Sequence, residues 1–236
     1  MYTSLRSSIL SLNLVPGTMV SENDISARFK VSRTPVREAF IALSKEYLIT
    51  VIPQKGSMVS RIDFTRVEQE LFIRENLEPA ALKQFLKNYD SSHLAEMEKQ
   101  IELQIEAVRN RDFQRFLQYD NQFHKIFFNN QEVAWEAMEN MCCHYHRFRL
   151  LTILLEDRGS DLVEEHKKLF YKVKQKDAEG ALSLLESHIH KLNIEEPMLK
   201  KLFPDYFVDS SRAEPFNVDF GGLSLQPLVK EAWRSL

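Results

Sequence analysis

The sequence predicts a mainly α-helical protein, an N-terminal winged helix-turn-helix followed by an all-α bundle of six or seven helices. Three observations carry that expectation. Residues 32–39 read Ser-Arg-Thr-Pro-Val-Arg-Glu-Ala, a helix start with two arginines one turn apart. A β-branched run, Leu48-Ile49-Thr50-Val51-Ile52, is followed by a Pro53-Gln54-Lys55-Gly56 turn and a returning Ser57-Met58-Val59-Ser60. From about Asp63 the pattern is helical, and glycine is absent between Gly56 and Gly159.

In chain order, Leu14-Val15-Pro16-Gly17 is a turn. Ser21 with Asp24 three residues on resembles a capping box, so a short helix is expected over about 22–29, burying Ile25 and Phe29. Lys30-Val31-Ser32 turns into a second helix. There Ser32 suits the cap, Pro35 suits the first turn, and Val36, Ala39, Phe40 and Leu43 form the apolar stripe. Two helices joined by a short turn make a helix-turn-helix. The second opens with Arg33 and Arg37 on one face, suited to base edges and phosphates in a major groove. The two strands after it form a wing with Lys55 and Gly56 at its tip. Gly56 permits close backbone approach, and Lys55 is placed to meet a phosphate or a minor groove.

These residues resemble a known family. Pro16-Gly17, Ser21-Glu22, the run Val31 to Ala39 and the Gly56 wing are similar to the winged helix-turn-helix of the GntR superfamily of bacterial transcription regulators, over about residues 2–61. The resemblance implies that Arg33, Thr34 and Arg37 contact operator DNA from the recognition helix and Gly56 from the wing. Asn23 is a departure, because some relatives carry a basic residue there.

The charge distribution agrees with a nucleic-acid-binding head on a different body. The net charge is −3, yet residues 1–61 hold eight Lys/Arg against four acids, and the remaining residues carry −7. So mildly basic a head binds weakly as one copy, which calls for two copies on a twofold site. The sequence shows no signal peptide and no apolar run near the ~20 residues that span a membrane, so a cytoplasmic protein without a membrane partner is expected. The adjacent Cys142-Cys143 lack CxxC spacing and read as free thiols.

In the second part, helices are expected at about 64–87, 92–110, 113–129, 131–156, 161–175 and 178–193, with Asp112, Ser160 and Asp177 as N-caps. Asp120 and His124 stand four residues apart and share a face. His166 and His188 fall on two later helices. Three imidazoles and a carboxylate suit a borderline divalent ion, Zn²⁺, Ni²⁺, Co²⁺ or Mn²⁺. Seven histidines also produce such spacing by chance, and satisfied surface histidines are the alternative. Arg147 and Arg149 are two residues apart, so one is expected to face a ligand carboxylate and the other solvent. Arg74 is a further pocket arginine or the i+4 partner of Glu78, the latter favoured. His144, His146 and His190 read as bystanders, and Phe116, Phe123 and Phe127 as core, with Phe123 a candidate for the pocket wall.

Arg74 to Ala81, Asp120-x-x-x-His124, Glu165-His166 and His188 also resemble the all-helical effector domain of the FadR-type branch of the same superfamily, over about residues 66–193. The resemblance implies that Asp120, His124, His166 and His188 hold a divalent cation, zinc being favoured, which receives the carboxylate of a small metabolite.

The domain division expected is 1–62 for the DNA-binding head, 63–194 for an effector-binding and dimerisation domain, and 195–236 for a C-terminal extension of no assigned role. That extension is rich in both proline and aromatics, and is expected to pack on the bundle or a partner subunit. Together these readings point to a homodimeric regulator, a repressor of a catabolic operon, that binds double-stranded operator DNA and answers to a small organic acid such as a sugar acid. A metal-sensing regulator without an organic effector is an alternative, and a helical-bundle metalloenzyme a weaker one.

Overall fold

The computed structural model describes residues 1–156, 158–190 and 196–208. They fall into two compact units, one of residues 1–64 together with 200–208, the other of the described residues between 65 and 199.

In the first unit, α1 (Tyr2–Leu10), α2 (Glu22–Phe29) and α3 (Arg33–Lys45) accompany a three-stranded antiparallel sheet. Its strands are β1 (Met19–Val20), β2 (Ile49–Ile52) and β3 (Gly56–Val59), in the order β1-β3-β2. α3 packs against α1, α2 and β2, burying Val36, Ala39, Phe40 and Leu43. The Ser21 hydroxyl accepts the Asp24 amide at 3.0 Å and starts α2. Two expectations fail locally. Phe29 is 37 % exposed, because α2 ends there and only Ile25 of the pair turns inward. Ser32 occupies the N-cap position of α3, but its hydroxyl makes no capping bond.

The second unit holds α4 (Phe64–Asn88), α5 (Ser91–Arg109), α6 (Phe113–Lys125), a 3₁₀ turn (Ile126–Phe128), α7 (Glu132–Met141), α8 (Cys143–Glu156), α9 (Gly159–Lys174) and α10 (Ala178–His190). α5 packs against α6 and α9, α9 against α10, and α6 against α8. Asp112 caps α6 through the Arg115 amide, and Asp177 accepts the Gly180 amide at the start of α10. Ser160 is no cap, since α9 already begins at Gly159. A side chain at Gly159 would lie 2.7 Å from Val108 of α5, so that contact selects glycine. The last residues expected in the helix over 178–193 lie outside the described ones. No helix among the described residues is long and apolar enough to cross a membrane.

The helix expected over 131–156 is two helices, broken at Cys142. Neither proline nor glycine marks the break. The Glu70 carboxylate, from α4, accepts the Tyr145 amide at 2.8 Å and so caps α8 from 75 residues away. Burial pushes the Glu70 carboxyl up from 4.5 to about 7, against the pull of the Tyr145 and His144 amides and of Arg66 and Arg147. Between those two pH values the folded chain keeps a proton that the unfolded chain has lost. Stability therefore falls as pH rises through that window. Glu70→Gln retains the acceptor oxygen and has no proton to lose. It is expected to exceed the parent by about 1–3 kcal/mol at pH 8 and to match it near pH 5, as read from urea midpoints.

Candidate metal centre

α6 presents Asp120 and His124 one turn apart, α9 presents His166, and α10 presents His188. One potential ligand atom from each lies within 4.8 Å of all the others. Asp120, His124 and His166 are fully buried and His188 is 5 % exposed. Phe123 stacks on His166 with ring centroids 4.5 Å apart, and Phe116, Phe123 and Phe127 are buried around the cluster's helix.

The outward nitrogen of each imidazole has an oxygen partner. His124 Nδ1 meets Glu78 Oε2 at 2.6 Å, His166 Nδ1 meets Gln104 Oε1 at 2.6 Å, and His188 Nδ1 meets Glu165 Oε2 at 2.7 Å. A carboxylate or amide oxygen only accepts, so each Nδ1 carries a proton, and in the neutral imidazole Nε2 keeps its lone pair. These lone pairs converge. His166 Nε2 and His188 Nε2 are 3.3 Å apart, and His166 Nε2 is 3.7 Å from Asp120 Oδ1. His124 Nε2 and Asp120 Oδ1 are buried without a hydrogen-bond partner among the described residues. Facing lone pairs in a dry interior repel, and a cation removes the repulsion. The separations of 3.3 Å and 3.7 Å lie close to the ~3.4 Å to ~4.2 Å expected around an ion with ~2.1 Å bonds, and all four donors lie within 4.8 Å of one another, so a small contraction suffices. The donor set is therefore compatible with a divalent metal.

The electrostatics of Asp120, His166 and His188 support the same ionisation states. Burial raises the Asp120 carboxyl, but the Arg149 guanidinium, the largest opposing influence, helps hold it well below the usual range. Burial lowers His166 strongly, assisted by His188, and lowers His188 despite its bond to Glu165. Neutral imidazoles and an ionised carboxylate are the forms that bind metal.

The arginines depart from expectation. Arg147 and Arg149 are both buried, at 0 % and 1 % exposure, so neither is a solvated charge. Helical spacing does turn them apart, but α8 has no solvent face, with Tyr145, Phe148, Leu150, Leu151 and Ile153 also buried. Arg149 Nη2 holds Asp120 Oδ2 at 2.6 Å, leaving Oδ1 for the centre. Arg147 Nε donates to the Cys143 carbonyl at 3.3 Å, and burial lowers Arg147 to about 10 despite Cys143 and Glu70. Arg74 forms a buried ion pair with Glu78, which in turn orients His124. Burial raises the Glu78 carboxyl, but Arg74 and His124 outweigh it and keep Glu78 ionised. His146 pairs with Glu139 and His190 with Glu75, outside the cluster. A cavity of about 360 Å³ lined by Arg158, Asp161, Glu164, Glu165 and Lys168 opens on His188.

Sequence reasoning did not find the oxygens behind the imidazoles. Gln104 had a signal, since it is a polar residue on the buried stripe of α5 with Met97 and Ile101. Glu165 had none, because it adjoins His166 in sequence yet bonds His188. Glu165→Gln is expected to weaken metal binding about 10- to 100-fold without unfolding the chain, as measured by competition with a chromogenic chelator.

In the first unit Arg33, Thr34, Arg37, Lys55 and Gly56 are all exposed. Gly56 has φ +112°, a conformation that side chains disfavour. Arg37 is held by Glu22 through two bonds, Nε to Oε1 at 3.0 Å and Nη2 to Oε2 at 3.1 Å. This fork lifts the guanidinium pKa and lowers that of Glu22.

Residues 70–191 match the FCD domain family, and residues 1–59 match the family described as bacterial regulatory proteins, gntR family. The chain is 28% identical over 208 residues to the HTH-type transcriptional repressor RspR of Escherichia coli (strain K12), covering 87% of this chain and 91% of that protein. It is 26% identical over 180 residues to the gluconate operon transcriptional repressor of Bacillus subtilis (strain 168), covering 73% and 74%. Among solved structures, E. coli McbR/YncC shares the fold with a TM-score of 0.72 at 20% identity, covering 86% of this chain and 96% of that one.

Proposed function

The chain belongs to the gntR family of bacterial regulatory proteins, in the branch with an FCD effector domain, and from that premise we propose that it is a homodimeric, metal-dependent repressor that releases its operator on binding a small carboxylate. That it is a transcription regulator follows from the family, and the relatives it matches are regulators, not enzymes. The finer reading is ours. Asp120, His124, His166 and His188 hold one divalent ion, zinc being favoured, in a cytoplasmic protein. The ion acts as an anchoring charge for the effector's carboxylate. Arg149, which holds Asp120 beside the ion, supplies a second carboxylate contact. Arg147 and Arg74 are committed to the protein interior and serve structure.

On the operator, Arg33, Thr34 and Arg37 read the major groove, and Lys55 and Gly56 follow the backbone from the wing. Two heads on a twofold site supply the affinity that one mildly basic head lacks. A sugar acid is the effector class favoured, with support from the gluconate operon repressors among the relatives. The effector changes operator affinity only through a difference in its affinity for the two states.

The observation that carries this reading is the convergence of Asp120, His124, His166 and His188, one potential ligand atom from each within 4.8 Å of the others, in a buried site. Its test is calorimetric titration of sugar acids and other small carboxylates into zinc-loaded and chelator-stripped protein. Binding by the loaded form alone supports the reading. Equal binding by both forms removes the metal from the effector site. The engagement of Arg149 by Asp120 favours a second reading, in which the metal itself is the signal. Operator affinity would then answer to chelator with no acid present.

A further inference from the structure

Beyond residue 191, where the FCD match ends, the chain does something the family resemblance does not account for. Lys200–Val208 belongs to the same compact unit as the winged helix-turn-helix. Tyr206 offers its carbonyl to the Ile62 amide at 2.8 Å, and the Val208 amide donates to the Ile62 carbonyl at 2.9 Å. These two bonds make a parallel bridge between Ile62 and Phe207. Phe207 is 2 % exposed and stacks on Phe64 at 4.9 Å, and Lys200 Nζ lies 4.8 Å over the other ring of that pair. Arg61 Nε donates to the Asp205 carbonyl at 2.9 Å. The Pro16-Gly17 turn comes so close that a Cβ on Gly17 would lie 3.2 Å from that same carbonyl. Gly17 N–H in turn bonds the Val59 carbonyl at the end of β3.

The residues gripped here, 60–64, join the wing to α4. They are the one stretch through which the chain first passes from the head to the effector domain. A hinge works through a few loop residues free to change φ and ψ. The segment returning at 200–208 ties both backbone groups of Ile62 and buries a ring against Phe64, so it removes that freedom.

We propose that residues 200–208 are a strap that fixes residues 60–64 within the head and holds the base of β3 in its DNA-binding conformation. The occupant of the surface of residues 60–64 is thus this chain's own C-terminal segment. The strap passes back into the head after α10, the helix that carries His188, so the chain joins the two units twice, at 64–65 and at 199–200.

The test uses the full chain with Phe207→Ala, which removes the ring, and separately Val208→Pro, which removes only the amide donated to Ile62. Phe207 already has the extended backbone that a following proline requires, and Val208 is 44 % exposed. Hydrogen exchange of residues 60–64 is expected to rise about tenfold or more in both variants. Affinity for DNA from upstream of the gene is expected to fall, with zinc content unchanged. Unchanged exchange in both variants would overturn the strap. Faster exchange with undiminished DNA affinity would overturn its role in holding the head. Should Phe207→Ala fail to fold, Val208→Pro decides alone.

Discussion

Arg37→Ala is expected to weaken operator binding by about 30-fold to more than 10⁴-fold, since an arginine on a base edge contributes about 1–3 kcal/mol and a dimer carries two. The physical case starts from Glu22. In the free protein its carboxylate holds the guanidinium by two parallel bonds, so the side chain is already extended and oriented on an exposed helix face. Little rotamer entropy is then left to lose on DNA. Removing Arg37 also leaves the Glu22 carboxylate without its cation on the surface expected to meet DNA. The loss should therefore exceed that of Lys55→Ala, which removes one mobile charge per head and flattens the salt dependence. Fluorescence anisotropy across a salt series measures both. Zinc content and thermal midpoint should be unchanged, because Arg37 is 68 % exposed and so exposed an ion pair contributes little stability.

His166→Ala should reduce metal content from about one ion per chain to near zero. Changing an oxygen behind a ligand costs about 10–100-fold in affinity, and deleting the ligand costs more. His166 sits nearest the middle of the cluster, 3.3 Å from His188 and 3.7 Å from Asp120. Its loss also opens space beside Phe123 and leaves Gln104 without its partner. Elemental analysis of protein purified without added metal gives the stoichiometry. A thermal shift on adding zinc gives an independent readout, with several degrees expected for the parent and none for the variant. A variant that retains one tightly held ion would show that the cluster is a hydrogen-bonded core and not a metal site. Operator binding by unliganded His166→Ala also separates the two readings of the effector domain. It persists if the metal serves only to anchor an acid, and it changes if the metal is the signal.

What was legible in the sequence follows the range of the interactions involved. The helix-turn-helix and wing could be read because their cues are local, Ser21 capping its own helix and Gly56 supplying its own positive φ. The pairing of Asp120 with His124 was legible for the same reason. The meeting of three helices at one point was not derivable from spacing, and the resemblance to an effector domain carried it. The break at Cys142 was hidden because its cause is Glu70, far away in sequence. The exposure expected for one of Arg147 and Arg149 failed because periodicity gives a direction around α8 but not what lies there. The C-terminal extension was expected to pack on the bundle or a partner subunit, and its actual place, Phe207 against Ile62 and Phe64, could not be read because those partners lie far away in sequence.

The measurement that bears most directly on the whole account is an anisotropy titration of the protein against DNA from upstream of its own gene, run with zinc and a panel of sugar acids and other small carboxylates. Tight, salt-sensitive binding that one acid weakens is expected, with the response to that acid lost when the zinc is chelated. An acid that shifts binding equally in metal-free protein would contradict the metal-anchored effector. No binding at low salt, with or without any acid, would contradict the operator-binding assignment of Arg33, Thr34 and Arg37.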